Sequence, residues 1–294
     1  MNRTTLASVG LLLVAAVGSS SACTIFVEVK PDTVLVGNNL DESNFVPRLW
    51  FVPDCEGQYA RFCFGFDENF RIAEGGMNDQ GLYISVNALG KDTGWKSDPS
   101  LPDWEQWSGW YQSGVPDGIL AKCATVEEAI EVFRGYNLFT LGKVKFLVAD
   151  KTGASAVIEW SGGHLRFLRR PDAKTYQIST NFVQSDYAPT EIPCERYRIA
   201  EMMLDGGRNR HSIDGFRGIL SATHLEFMTP TVYSNICNLN TGDIYVYYFH
   251  NFEEPVRMNL HEALKGGRTE RLVRDLFCVR PYVATLYEAR GTKQ

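Results

Sequence analysis

The residue types and spacings best suited to chemistry begin at Cys23, which follows the small-residue stretch Ser19-Ser20-Ser21-Ala22. Before it lie a positive charge at Arg3 and an apolar run from Val9 to Val17. Ser20 and Ala22 occupy the two positions that a signal peptidase reads, so residues 1–22 have the form of an export signal. The apolar run is too short to span a bilayer. Cleavage after Ala22 makes Cys23 the first residue of the mature chain. A terminal cysteine carries a thiol and an α-amine on one residue. Their reference pKa values lie near ~8.5 and ~8, so the amine serves as base for its own side chain close to neutral pH. The alternative for a cysteine in this place is lipidation, as in a bacterial lipoprotein. That reading asks for a larger apolar residue three positions earlier, where Ser20 stands.

Four further residues are placed to support such a nucleophile. Ile25, Val27 and Val29 alternate with Phe26, Glu28 and Lys30, which predicts a half-buried strand, and Pro31-Asp32 turns the chain into a second strand from Val34 to Asn38. The hairpin returns Gly37-Asn38-Asn39-Leu40-Asp41 alongside Cys23, bringing the Asp41 carboxylate within reach of the α-amine. Read alone, Asp41 is a capping or turn residue. A strand from Leu82 to Asn87 sets Leu82, Ile84 and Val86 on one face and Tyr83, Ser85 and Asn87 on the other. Asn87 closes that strand as Asn181 closes another from Tyr176. A terminal asparagine is a turn residue or an N–H donor to an oxyanion. Arg196 falls near the start of an expected helix, Glu195 to Leu204, where a positive charge opposes the macrodipole and calls for another reason.

The elements that must position these residues are mostly short strands. They are expected over Leu49 to Val52, Tyr59 to Phe66, Val144 to Ala149, Ala154 to Trp160, Val232 to Leu239 and Ile244 to His250. Gly75 to Gly81 reads as turn-rich. The capping box Thr125-Val126-Glu127-Glu128 opens a helix to about Gly135, and further helices are expected over Ser212 to Leu220 and Thr269 to Phe277. Trp95 to Tyr111 holds four of the six tryptophans without a clean period and reads as a long loop leaving the Asn87 strand. Trp104, Trp107 and Trp110 either offer an apolar surface to an acyl group or pin the loop down. Strands, then helices, then strands, without βαβ alternation, argue for an α+β fold of antiparallel sheets with helices outside.

Composition narrows the partners. The 294-residue chain has a formal net charge of −6 and no run of Lys or Arg, which argues against nucleic acid. No linker or repeat divides it, so 23–294 reads as one domain. Setting Cys23 aside leaves six cysteines, which allow fifteen pairings, none of them assigned. The five histidines are scattered and no C-x-x-C occurs, so neither metal nor cofactor is expected.

Taken together, Cys23-Thr24, Gly37 to Asp41, Gly76-Met77-Asn78-Asp79-Gln80-Gly81-Leu82 running to Asn87, Thr180-Asn181 and Glu195-Arg196-Tyr197 resemble the choloylglycine hydrolase family. That family includes penicillin V acylases and bile salt hydrolases and lies among the N-terminal nucleophile hydrolases. The resemblance implies an αββα sandwich, two packed antiparallel sheets between helical layers, and hydrolysis of a linear carbon–nitrogen amide bond in an N-acyl substrate. It implies Cys23 as nucleophile with its own α-amine as base, and Asp41 as the acid that orients the amine. Asn87 and Asn181 match oxyanion or substrate-orienting positions, and Arg196 matches an arginine that supports charge. Asn38 departs from the pattern, since bile salt hydrolases and penicillin V acylases usually carry arginine there. An acyltransferase on the same site, or a lipidated binding protein, are the competing readings. The expected location is the periplasm or outside the cell, with no stable membrane insertion once the leader is gone, and the sequence leaves a homo-oligomer open.

Overall fold

The computed structural model describes residues 22–43, 46–66, 72–104, 114–206, 211–226 and 229–291. Strands β1 (Ala22–Lys30) and β2 (Thr33–Asp41) form the expected hairpin, in register from Ala22 opposite Asp41 to Lys30 opposite Thr33. The remaining strands are β3 (Pro47–Val52), β4 (Arg61–Phe66), β5 (Ile72–Asn78), β6 (Leu82–Ala88), β7 (Val144–Asp150), β8 (Ser155–Ser161), β9 (His164–Arg169), β10 (Tyr176–Ser179), β11 (Thr231–Asn238), β12 (Asp243–Tyr248), β13 (Asn251–Asn259) and β14 (Thr269–Leu272). They build a six-stranded sheet in the order β10-β1-β2-β11-β12-β13 and an eight-stranded sheet in the order β14-β3-β4-β5-β6-β7-β8-β9. Every pairing is antiparallel.

Three apolar clusters hold the layers together. Between the sheets, Ile25, Val27 and Val36 meet Phe62, Phe64, Met77, Leu147 and Val157. Outside the eight-stranded sheet, α1 (Gly114–Lys122) and α2 (Val126–Gly135) press Ile119, Leu120, Ile130 and Phe133 onto Ile84, Phe146 and Val148. Outside the six-stranded sheet, α3 (Glu195–Gly206) and α4 (Ile213–Thr223) press Ala200, Leu204, Phe216 and Ile219 onto Phe26, Ile178 and Ile236. The result is the helix–sheet–sheet–helix sandwich expected from the sequence. Two further helices, α5 (Leu260–Leu264) and α6 (Tyr282–Gly291), bring Leu260 and Ala284 to the inter-sheet cluster.

Several expectations change. The β1 alternation predicts a strand with one wet face, yet both faces are covered. Phe26 packs 4.9 Å from the Phe216 ring under α4, and Glu28 is buried against His211. The glycines at 75 and 76 lie within a strand rather than a turn. A Cβ on Gly75 would stand 2.5 Å from the Phe64 ring, and one on Gly76 would stand 2.1 Å from the Phe62 carbonyl oxygen, so close neighbours exclude side chains there. The turn itself is Asp79-Gln80, closed by Gly81 at a φ of 81°. Asn78 secures it, donating to the carbonyls of Leu120 and Cys123 at 2.9 and 2.7 Å and accepting from Leu82 N at 2.9 Å.

The expected helix over Thr269 to Phe277 is instead strand β14 followed by a 3₁₀ turn, Val273–Leu276. The edge of β3 offers an unpaired ladder, and Thr269 to Leu272 fill it with Arg48 and Glu270 paired at 2.9 Å. Strands β9 and β13 and helices α1, α5 and α6 have no counterpart in the expected elements. The Thr125 cap forms as expected, its hydroxyl accepting from Glu128 N at 3.2 Å. All seven cysteines are free thiols. No helix among the described residues is long and apolar enough to cross a membrane.

Candidate active site

The antiparallel pairings carry the chemistry-bearing residues to one end of the sandwich. Cys23 sits at the start of β1 and Asp41 at the end of β2. Asn181 follows β10, whose Ser179 pairs with Ile25, so it falls level with Cys23. On the facing sheet, Asn87 lies near the end of β6. Tyr83, Ser85 and Asn87, the polar row of that strand, face the six-stranded sheet rather than solvent.

A continuous polar chain joins the five residues. The main-chain N–H of Cys23 donates to Asn181 Oδ1 at 2.8 Å. Nη2 of Arg196 donates to the same oxygen at 2.9 Å, while its Nη1 reaches Thr24 Oγ1 at 2.8 Å and Asp41 Oδ2 at 3.0 Å. These contacts supply the reason for an arginine at the start of α3: its charge serves the strand ends beneath the helix. Asn181 Nδ2 donates to the Ala88 carbonyl at 2.8 Å. Asn87 Nδ2 donates to the Cys23 carbonyl at 3.0 Å, and its Oδ1 accepts from Ser179 Oγ at 2.5 Å. Both asparagine amides are thereby oriented, each with its oxygen and nitrogen assigned by the partners they meet.

Asp41 is fully buried, with Arg196 on one oxygen and the Thr231 hydroxyl on the other. Burial pushes its pKa up to about 7, against the opposing pull of Arg196. The Cys23 thiol is also fully enclosed. Burial first, then the negative charges of Asp41 and Glu74, hold its pKa well above the ordinary thiol value, while the Asp41 backbone N–H and Arg196 act the other way. A thiol held this way reacts only with a base beside it.

A buried ion pair that sequence reasoning missed fixes the Asn181 loop. Glu159 of β8 accepts from the backbone N–H groups of Gln184 and Ser185 at 2.9 and 2.7 Å. Lys145, fully buried on β7 opposite Asn87, lies 3.6 Å from Glu159 and 5.0 Å above the Phe182 ring. Burial lowers its pKa to about 8. A lone charge inside each of two otherwise apolar strands, Val144 to Ala149 and Ala156 to Trp160, is the sequence signal for this pair. Thr24, Ser179 and Thr231 were missed for the opposite reason, since hydroxyls at strand ends carry no pattern.

Glu74 was also missed. Phe64 pairs with Gly75 and Gly65 with Ala73, so Glu74 is the extra residue of a β-bulge, and its half-buried carboxylate lies close enough to Cys23 and Glu42 for their charges to interact. Burial and then Glu42 raise its pKa to about 7. Asn38 is buried on the inner face and donates to Ser85 Oγ at 3.2 Å. Two strands from Cys23, across Leu40, the buried Tyr233 hydroxyl has no hydrogen-bond partner among the described residues.

The structure does not bring Trp104 to this site. It is buried in the cluster beneath α1 and α2, on the far face of the eight-stranded sheet, with its backbone N–H on the Asn137 carbonyl at 3.0 Å. Trp95 packs against Trp160 on the same side. Trp107 and Trp110 lie outside the described residues.

The chain matches no family model and no curated protein sequence. Its fold is shared with solved structures. A variant of conjugated bile acid hydrolase from Clostridium perfringens superposes with a TM-score of 0.66 at 14% identity, covering 85% of this chain and 96% of that one. Penicillin V acylase from Agrobacterium tumefaciens gives 0.56 at 17% identity, covering 77% and 83%. The Caenorhabditis elegans ortholog of N-acylethanolamine-hydrolyzing acid amidase gives 0.51 at 20%, covering 74% and 93%. The two-sheet sandwich is thus an architecture that this chain shares with these three proteins.

Proposed function

We propose that this chain is an exported amidase or acylase in which removal of residues 1–22 frees the α-amine of Cys23, and that it hydrolyses a linear amide bond through a thioester on that cysteine. The observation that carries this reading is the main-chain nitrogen of Cys23 on Asn181 Oδ1, with Arg196 and Asp41 behind it. In the ladder Ala22 stands opposite Asp41 and Cys23 opposite Leu40, so a cut between 22 and 23 leaves the new amine beside this network. That the three structural neighbours are a hydrolase, an acylase and an amidase supports the reaction class.

The freed amine takes the thiol proton, and the thiolate attacks the substrate carbonyl carbon. Negative charge then gathers on the carbonyl oxygen, where amide N–H groups of Asn87 and Asn181 are the proposed donors. The ammonium returns its proton to the leaving nitrogen, the carbon–nitrogen bond breaks, and the acyl group remains on sulfur. The amine, neutral again, deprotonates a water that attacks the thioester, and a carboxylic acid leaves. Arg196 holds Asn181 and Asp41 in place and balances the buried carboxylate.

The substrate in this proposal is an N-acyl amide without a negative charge. Asn38 supplies no cation where bile salt hydrolases and penicillin V acylases usually carry arginine, and Glu74 adds a carboxylate to the Cys23 side of the site. The test is a panel of phenoxyacetyl, long-chain, homoserine-lactone and bile-acid amides on processed protein, with the terminus read by intact mass. Turnover of neutral amides by a protein starting at unmodified Cys23 supports the proposal. A diacylglyceryl mass on Cys23, or preference for taurine and glycine conjugates, overturns it. Acyl transfer to an added amine in place of hydrolysis reassigns the reaction to an acyltransferase.

A further inference from the structure

We propose that His224, Glu226 and His250 form a binding site for a divalent transition metal of the zinc class, bracing the connection between α4 and β11. The sequence hides this cluster, since His224 caps the end of α4 and His250 lies in the turn between β12 and β13, which only the fold brings together. One ligand atom from each of the three residues falls within 4.8 Å of the others. The imidazole rings stand 4.6 Å apart, and His224 Nε2 is 3.3 Å from Glu226 Oε1. Two bonds of about 2.0–2.1 Å at a tetrahedral angle place their ligand atoms about 3.3 Å apart. The His224–Glu226 pair already has that spacing, and small side-chain rotations bring in the third ligand.

The hydrogen bonds around the cluster fix which nitrogens face inward. His224 Nδ1 lies 2.5 Å from the Ser221 carbonyl, which only accepts, so Nδ1 carries the proton and Nε2 presents a lone pair. The His250 ring is hydrogen-bonded to the Leu225 backbone, whereas its Nε2 is buried with no partner among the described residues, which leaves Nδ1 as the bonded atom. Each ring thus has its outer nitrogen on a main-chain group and its inner nitrogen toward the cluster, the arrangement that orients metal-ligating histidines. A proton on His224 satisfies Glu226 but leaves His250 Nε2 unmet, whereas a metal ion meets all three. Two imidazoles and a carboxylate suit zinc rather than calcium or magnesium.

The backbone is also shaped for the purpose. Phe249, directly before His250, has a φ of 49° and is the one non-glycine among the described residues with positive φ. Its ring is buried against Tyr248 and Tyr287, and that packing holds the strained turn presenting His250. Leu225, between the other two ligands, donates to Thr231 Oγ1 at 2.8 Å, and that hydroxyl donates to Asp41. A metal here therefore steadies Leu225, whose N–H holds the Thr231 hydroxyl that donates to Asp41, while lying outside the reacting groups. Glu226 is exposed, so ions enter from solvent.

The test uses untagged full-chain protein, titrated with Zn²⁺ and separately with Co²⁺ after alkylation of exposed thiols. One equivalent is expected, with a cobalt spectrum free of thiolate charge transfer. Zinc at a hundredfold excess over its dissociation constant is expected to raise the melting temperature by about 5–10 °C. His250→Ala and the surface variant Glu226→Gln should each weaken binding at least about tenfold; the second keeps the fold testable if the first disturbs the turn. Absence of stoichiometric binding, a thiolate band, or binding unchanged in Glu226→Gln and His250→Ala overturns the site.

Discussion

The main-chain N–H of Cys23 donates to Oδ1 of Asn181 at 2.8 Å, across 158 positions of sequence. The same oxygen takes Nη2 of Arg196, and the nitrogen of that amide is turned to the Ala88 carbonyl. Asn181 is therefore an acceptor toward the Cys23 nitrogen, and in the proposed reaction its amide also faces the developing oxyanion. Asn181→Ala should lower kcat by about 10²-fold with a smaller change in KM, the signature of a group used mainly in the transition state. Steady-state kinetics on a neutral N-acyl amide decide it: a raised KM at constant kcat would reassign Asn181 to ordinary substrate binding.

Processing is tested at the same nitrogen. A protein that retains one residue before Cys23 has an amide nitrogen there, without a basic lone pair, and should show no turnover. Cys23→Ala should be equally inactive while correctly cleaved, because the amine remains and the thiol does not. Intact mass establishes each terminus. Activity within about tenfold of the parent in either protein would remove the terminal-amine mechanism.

Arg196 serves three acceptors with one planar fork, and lysine cannot reproduce that geometry. Arg196→Met strands the buried Asp41 carboxylate, at a cost of about 3–5 kcal/mol near neutral pH. The pH dependence has a definite sign. Asp41 already titrates near 7, above its unfolded value, and loss of Arg196 raises it further. The folded state then holds a proton that the unfolded chain releases from about pH 4 upward, so the variant's deficit grows as pH rises toward and past 7. Denaturant melts at pH 5 and pH 8 measure this, and equal deficits would show that Asp41 is not the stranded group. Arg196→Lys, which keeps the charge, should lose less stability yet still lower kcat by about tenfold or more.

Glu74 makes a separate pH prediction. Its carboxyl titrates near 7 and its charge disfavours the Cys23 thiolate. Below that pH Glu74 is neutral and Glu74→Gln should alkylate at Cys23 like the parent. Above it the variant should react faster, its profile moved by up to about one unit to lower pH. Coincident iodoacetamide profiles would show that the Glu74 charge does not act on the thiol.

How much of this was legible follows from where the determinants lie. The hairpin carrying Cys23 and Asp41 was readable because alternation and Pro31-Asp32 act locally. Arg196 was readable because a cation at a helix start contradicts a local rule. Strand β14 was not, since only the free edge of β3, more than two hundred residues away, makes Thr269 to Leu272 extend. Glu74 was hidden by the bulge, which no period reveals. Thr231 matters only through Asp41 and Leu225, partners that the fold alone supplies.

Trp104 gives the sharpest separation between sequence and structure. A tryptophan-rich loop leaving the Asn87 strand suggests an acyl-binding surface, and on that view Trp104→Ala raises KM for apolar substrates. The folded chain instead buries Trp104 to 6% exposure in the cluster with Ile119, Leu120 and Phe133, on the face of the eight-stranded sheet opposite Cys23. Its backbone is pinned as well, through the Asp103–Asn137 bridge and the Trp104 N–H on Asn137. Truncation there leaves a cavity under α1, so Trp104→Ala should cost about 3–5 kcal/mol, or a fall of roughly 6–20 °C in Tm. KM should stay within about twofold of the parent, because no atom of the reacting end is touched. Calorimetry and kinetics on the same preparation separate the two roles. A raised KM with an unchanged Tm would put Trp104 at the substrate, whatever the packing of its ring.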